Sequence, residues 1–260
     1  MSRITQKGAT GPLALHASGI FQQSSDANLA TLVGSRWDLS DGREVIFVSN
    51  SATAILTSGL LCQDAAIVAN HAGMVTAAFT AYSATTGKKA SITVNLGATA
   101  LTADQYQGGF LSVDSGTGIG QYLRIESNAA AVLSGSGVIT LEDSPNTALV
   151  AASSVVSLIP PHGKSVILNP TTPTNVPVGV TLYPLTASYY GFLVSKGLTG
   201  AVSDATAPEV GKGISPSTTT AGTIAKNTGT STVTLNVGPI IGYTAVAAAS
   251  ATSHSVFVNL

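Results

Sequence analysis

The residues that could carry chemistry are few: four histidines, one cysteine, twelve acidic side chains and one glycine-rich loop. The loop lies in GGFLSVDSGTGIGQYLRIES, residues 108–127, where Gly116, Gly118 and Gly120 follow the alternating run Phe110 to Val113. A glycine loop after a strand is where phosphate cradles begin. A Walker loop needs G-x-x-x-x-G-K-[ST], and a dinucleotide fingerprint needs G-x-G-x-x-G opening a helix. Gly116 and Gly118 match the start of the second pattern, but position 121 is Gln. Gln121 and Tyr122 stand where a lysine and a hydroxyl would hold phosphate and metal. Tyr122 and Arg124 then alternate with Leu123 and Ile125, which is strand period. These residues predict a hairpin whose glycines give the backbone freedom to turn. Gly211-Lys212-Gly213 has no strand-to-helix frame and reads as a turn.

His16, His71, His162 and His254 are isolated, with no H-x-x-x-H or H-E-x-x-H pair. His71, in ANHAGM, sits amid apolar residues and reads as a partly buried, hydrogen-bonded side chain. Cys62, in GLLCQD, reads as a small apolar core residue. Nothing in the sequence supports a Cys62–His71 dyad. Asp38, Asp41 and Glu44 gather in DLSDGRE, off the D-x-D-x-D-G alternation of a calcium loop. Turn chemistry explains Asp41, and solvated faces explain the others and Asp114. No G-x-S-x-G elbow occurs. Trp37, Tyr189, Tyr190 and Phe192 could form a sugar platform, but strand aromatics more often belong to the core. The expectation is a protein that is not an enzyme, with no catalytic, cofactor-binding or metal-ligating residues.

The elements that must hold these groups read as mainly β. Trp37 and Leu39 alternate with Asp38 and Ser40, and Asp41-Gly42 signals a two-residue turn with positive φ at both central residues. A hairpin over 36–49 follows. ASITVNL (90–96), GVITLED (137–143), SSVVSLIP (153–160), ASYYGFLVSKG (187–197), STVTLNVG (231–238) and HSVFVNL (254–260) read as further strands. The stretch 52–82 fits helix propensity or short strands, and its glycine and β-branched content favours strands. Thr102 offers an N-cap for one helical turn over 102–107. A short helix is expected over Ala27 to Val33, capped by Ser25 or Asp26. The fold class expected is antiparallel β-sandwich or barrel units with little helix. The divisions expected are an extended arm over 1–35, a β domain over 36–160, a Pro-rich connector over 161–177 and a second β unit over 178–260.

Composition narrows the partners. Of 260 residues only 9% are charged and 44% are hydrophobic, against about 25% charged in an ordinary soluble domain. A chain packed against copies of itself or against a lattice needs less charge than a free one. The net charge is -1, and the absence of a basic cluster argues against nucleic acid as a partner. One cysteine forms no internal disulfide. No apolar run is long enough to span a bilayer, and the N-terminus has no signal-peptide design, so synthesis in the cytoplasm without a membrane partner is expected.

The segment VNLGATALTADQYQGGFLSVDSGTGIGQYLRIES resembles a group of tailed-bacteriophage virion structural proteins. ITLEDSPNTALVAASSVVSLIP, VPVGVTLYPLTASYYGFLVSKGLTGAV, VGKGISPSTTTAGTI and VGPIIGYTAVAAASATSHSVFVNL resemble the same group. Residues 88–260 carry the likeness; the N-terminal arm and the SRWDLSDGRE hairpin depart from it. What the resemblance implies is a capsid decoration (cement) protein on the virion surface, without enzymatic activity. Its partners would be the phage major capsid protein and copies of itself, a homotrimer first and a dimer second. A head-surface or tail-fibre module that recognises a receptor or glycan is the alternative, and a major coat protein is third.

Overall fold

The structure is a computed structural model that describes residues 4–6, 19–55, 57–227 and 239–260. Strands take 43% of the described residues and helix 4%, and the pairings between named strands are antiparallel, which makes the fold mainly β. Among the described residues, β1 (Ile4–Gln6), β2 (Arg36–Leu39), β3 (Glu44–Ser49) and β4 (Leu61–Gln63) come first. Then follow β5 (Met74–Thr80), β6 (Ser91–Asn95), β7 (Phe110–Ser115), β8 (Tyr122–Asn128), β9 (Ser136–Leu141) and β10 (Val155–Ile159). The last are β11 (Ile167–Leu168), β12 (Pro177–Thr181), β13 (Tyr190–Val202), β14 (Gly213–Pro216), β15 (Ile224–Lys226), β16 (Gly242–Val246) and β17 (Ser253–Asn259).

The chain divides into two compact units, and the division differs from the one expected. One unit is residues 66–161; the other joins 1–65 to 162–260. The first is therefore an insertion in the second. The boundary expected at 161–177 fails because that segment packs back into the outer unit. Gln63 Nε2 donates to Thr174 Oγ1 at 2.7 Å, and Asn175 Nδ2 donates to the Ala65 carbonyl at 2.7 Å. Pro177 already pairs with Gln63 in the β12–β4 ladder.

The inserted unit is a closed barrel in the order β10-β5-β6-β9-β8-β7. Closure leaves no free strand edge. Its inward positions are the period-2 residues of each strand: Ile92 and Val94, Leu111 and Val113, Leu123 and Ile125, Ile139 and Leu141, all buried. The hairpin read at the glycine loop is present, with Phe110 opposite Arg124 and Ser112 opposite Tyr122. Residues 102–107 form turns rather than a helical one. Asp104 takes φ 54°, which a right-handed helix forbids, and the Thr102 hydroxyl donates to the Gln105 side chain.

The outer unit is one sheet along β1-β2-β3-β13-β17-β16-β14-β15, with β12 joining β13 to β4 and β4 joining β11. The 13-residue β13 is its spine. Its first half pairs with β3 and β12, and its second half with β17. β3 is buried on both faces: Val45 and Phe47 enter one apolar cluster, Ile46 and Val48 another. A central strand covered on both sides reads as an unbroken apolar run, as EVIFVS does. The hairpin over 36–49 is present, but its turn is one residue longer than expected. Leu39 N donates to the Arg43 carbonyl, and Gly42 alone has positive φ, at 83°. That is a three-residue loop closed by a glycine in the left-handed region. A 3-10 helix spans Ala27–Leu32, and the Asp26 carboxylate caps it by accepting from Asn28 N. The strand read over 231–238 and the arm residues 7–18, with His16, lie outside the described residues.

Candidate functional site

Three constellations bring polar groups together, and each can be tested for chemistry by asking where its protons sit. The one most like a catalytic site was not legible from the sequence. Ser203, Asp204 and His254 are all buried, and His254 Nε2 lies 2.9 Å from Ser203 Oγ. A serine nucleophile needs the histidine to accept its proton at that nitrogen. Here the Ala248 backbone N–H donates to His254 Nδ1 at 2.9 Å. A neutral ring with Nδ1 accepting carries its proton on Nε2. His254 therefore donates to Ser203, and Ser203 Oγ passes its own proton toward the Asp204 carbonyl at 3.2 Å. The Asp204 carboxylate faces away from the ring, accepting from Ser217 Oγ at 2.6 Å, Thr219 Oγ1 at 3.1 Å and Thr206 N at 2.7 Å. The donor order runs opposite to a catalytic triad. The cluster ties β13 and β17 to the loops beyond them.

His71 is buried on the 3-10 turn Ala69–His71 in the barrel unit. Its Nε2 lies 3.3 Å from the Thr99 carbonyl, which only accepts, so the proton sits on Nε2. Its Nδ1 then accepts from the Tyr106 hydroxyl at 2.8 Å. Burial pushes the Tyr106 hydroxyl up to about 12, which keeps it a donor at neutral pH. Both ring nitrogens are occupied, and neither is open to a metal.

The third group is a chain, Glu44–Arg36–His162–Asp64. Arg36 Nη1 pairs with Glu44 Oε1 at 2.7 Å. Arg36 Nη2 lies 3.4 Å from His162 Nε2, and a guanidinium only donates, so His162 Nδ1 carries the proton and donates to Asp64 Oδ2 at 2.8 Å. Gly163 N donates to the other Asp64 oxygen at 2.7 Å. His162 directly follows the insertion, and Asp64 lies one residue short of its start. Their contact staples the two points where the chain leaves and re-enters the outer unit. The sequence separation of 98 residues hides this pair from any local pattern.

The remaining candidates resolve as follows. Asp41 accepts two hydrogen bonds from the Arg43 guanidinium, at 2.7 and 2.8 Å, and these hold its carboxyl below the usual range. Glu44 is engaged by Arg36, so the DLSDGRE acids do not converge. Among the described residues, no group of three His, Cys, Asp or Glu side chains could hold a metal ion. Asp114 accepts from Ser157 Oγ at 2.5 Å. Gly211 takes φ 75° in a turn that feeds β14 directly, with no helix after it. Trp37 and Phe192 are core residues, and Tyr189 and Tyr190 are half-buried. Among the described residues, no helix is long and apolar enough to cross a membrane.

Cys62 lies on β4, fully buried, in the outer unit, whereas His71 belongs to the barrel unit. Burial pushes the thiol up to about 12. Thiolate is the reacting form, and its fraction at pH 8 is then on the order of one in ten thousand. An aromatic disulfide reagent at pH 8 is expected to leave the folded protein unlabelled over an hour and to label one thiol at once in denaturant. Rapid labelling of the folded chain would show the site to be open.

No family model matches the chain, and neither does a curated protein or a solved structure.

What the described residues do offer is surface. Large apolar side chains stand open on both units: Val132 at 74%, Ile119 at 66% and Tyr122 at 55% exposure on the barrel unit, Leu198 at 54% on the outer one. The signal for this was in the sequence, as apolar residues out of phase with the buried set, such as Phe257 between Val256 and Val258 in HSVFVNL.

Proposed function

We propose that this chain is a structural protein of a tailed-phage head, a cement protein that lies on the outer face of the capsid and bridges capsomers. The observation that carries this reading is a surface poor in charge and rich in open apolar side chains on strands and on the turns between them. Only 9% of residues are charged, while Val132, Ile119, Tyr122 and Leu198 remain more than half exposed. Single exposed apolar residues are ordinary, but many of them with little charge between favour a life against neighbours. The likeness of residues 88–260 to virion structural proteins points the same way. The hydrogen-bond directions at Ser203–His254 and His71 favour a scaffold over a catalyst.

A cement protein stabilises a shell by mass action. At free concentrations about a hundredfold above its dissociation constant, each occupied site adds about 2.7 kcal/mol. The purified chain is expected to co-sediment with assembled capsid shells at a fixed ratio and to ignore unassembled coat subunits. Its absence from purified virions, or equal binding to free subunits, would overturn the reading.

One observation favours the second reading, a receptor- or glycan-binding module. Phe110 and Tyr122 stack at 4.6 Å on the outer face of β7 and β8, with Tyr122 55% exposed. Trp37 takes no part in such a platform, because that ring is fully buried, as expected of a strand aromatic. Glycan-array hits lost on Tyr122→Ser would move the assignment to that reading.

A further inference from the structure

We infer that the outer face of the β13–β17–β16 sheet is a twofold contact between two copies of this chain. Leu198, Phe257 and Tyr243 stand in one cross-strand row, since Leu198 pairs with Phe257 and Phe257 with Tyr243. They are 54%, 45% and 55% exposed. Tyr243 pairs in turn with Gly213, and the Ile240 side chain lies 3.4 Å from where a Gly213 Cβ would be. Ile240, 54% exposed, therefore extends the row over a fourth strand. The next row toward one end of the sheet is Gly200, Ser255 and Val246. The row on the other side is Lys196 and Asn259. The face is thus a ridge of large apolar side chains, a low shelf that is mostly Gly and Ser, and a polar rim.

The ridge and the shelf are two residues apart along β13 and β17, about 7 Å, and three along β16, where a bulge between Thr244 and Val246 takes up the extra residue. A twofold axis lying in the interface, across the strands and midway between these rows, exchanges them. It sets Leu198 over Gly200, Phe257 over Ser255 and Tyr243 over Val246 of the second copy. Leu198 and Phe257 then each meet a small residue, and Tyr243 meets the apolar Val246, twice over, as interdigitating sheet faces do. One patch serving both subunits is the self-complementarity of an isologous dimer.

Area selects a second copy over a small ligand. Half-open side chains of this size each present roughly 100 Å². The ridge, the shelf and their margins on two copies remove roughly 1,200 Å² from water, the lower end of what a stable dimer uses. The apolar centre with a polar rim matches interface anatomy. The contact ranks the dimer ahead of the homotrimer, and it does not depend on the cement reading.

Sedimentation of the full chain up to about 100 µM tests it. The wild type is expected to dimerise, and Phe257→Asp to weaken the dimer roughly thirtyfold or more, as a central anchor does. Ser255→Phe separates fit from stickiness: it adds apolar area yet fills the shelf, so it too is expected to yield monomer. Circular dichroism checks that each variant keeps its strands. A monomeric wild type, a dimer or trimer indifferent to Phe257→Asp, or a tighter association in Ser255→Phe overturns the proposal. A dimer that ignores capsid shells would leave this contact standing and remove only the cement reading.

Discussion

Trp37→Ala is expected to destabilise the outer unit by about 4 kcal/mol, the range for deleting a large buried aromatic. Trp37 is the sole tryptophan and has no exposed surface. It meets Phe47 edge-on at 6.0 Å and Phe192 at 5.4 Å, and those two rings lie 5.0 Å apart. The three rings come from β2, β3 and β13, so the hole left by alanine opens where the three strands meet. Neighbouring side chains cannot collapse into it without moving β3, which is held by packing on both faces. Trp37→Phe is expected to lose less than about 1.5 kcal/mol. The indole Nε1–H meets no acceptor among the described residues, so its removal forfeits no hydrogen bond. Calorimetry should place the loss in one transition and leave the barrel unit's melting unchanged. A change below about 1 kcal/mol in Trp37→Ala would mean the cluster is not a rigid core.

Gly116→Ala is expected to destabilise the barrel by about 3 kcal/mol or more, while Gly120→Ala costs about 1. Both glycines sit in the loop that resembles a phosphate cradle, and both take positive φ, 77° and 83°. They differ in what surrounds them. A Cβ on Gly116 would fall 1.9 Å from the Ser153 carbonyl oxygen, which is backbone leading into β10. A Cβ on Gly120 would meet nothing within 4 Å. Both substitutions incur the left-handed strain, but only the first adds a clash that must shift a barrel strand. Urea unfolding of the two variants separates the effects; equal losses would show that Gly116 is needed only for its φ. The loop's tight approach is thus to its own chain, and its glycines leave room for Ser153 rather than for a ligand.

Much of the secondary structure was legible because its signals are local. Ile92 and Val94, Leu123 and Ile125, and Val256 and Val258 alternate in the sequence and alternate in burial. Of Ser25 and Asp26, the two caps the sequence offers, Asp26 is the one that caps the helix. The hairpin at Gly42 was found, while the loop length was not, because Asp-Gly fits a two-residue and a three-residue turn alike. The domain boundary was missed for a different reason. Proline spacing at 170–177 marks a segment without helix, but whether such a segment bridges two units or packs within one depends on Gln63 and Ala65, more than a hundred residues earlier. Pro160 and Pro161 stand where the chain leaves the barrel.

The sequence by itself determined that this protein is built of antiparallel strands, that its glycine loop turns a chain, and that its single cysteine and tryptophan lie inside. Each follows from period, turn chemistry or hydrophobicity read within a few residues. Only the tertiary structure decided that one unit is inserted in another, that Asp64 and His162 staple the insertion, and that Ser203 accepts a hydrogen bond from His254 instead of donating one to it. It also decided that Leu198, Phe257 and Tyr243 share one open row. Strand registry brings together residues that lie far apart along the chain, and neither composition nor spacing encodes which strand will be the neighbour.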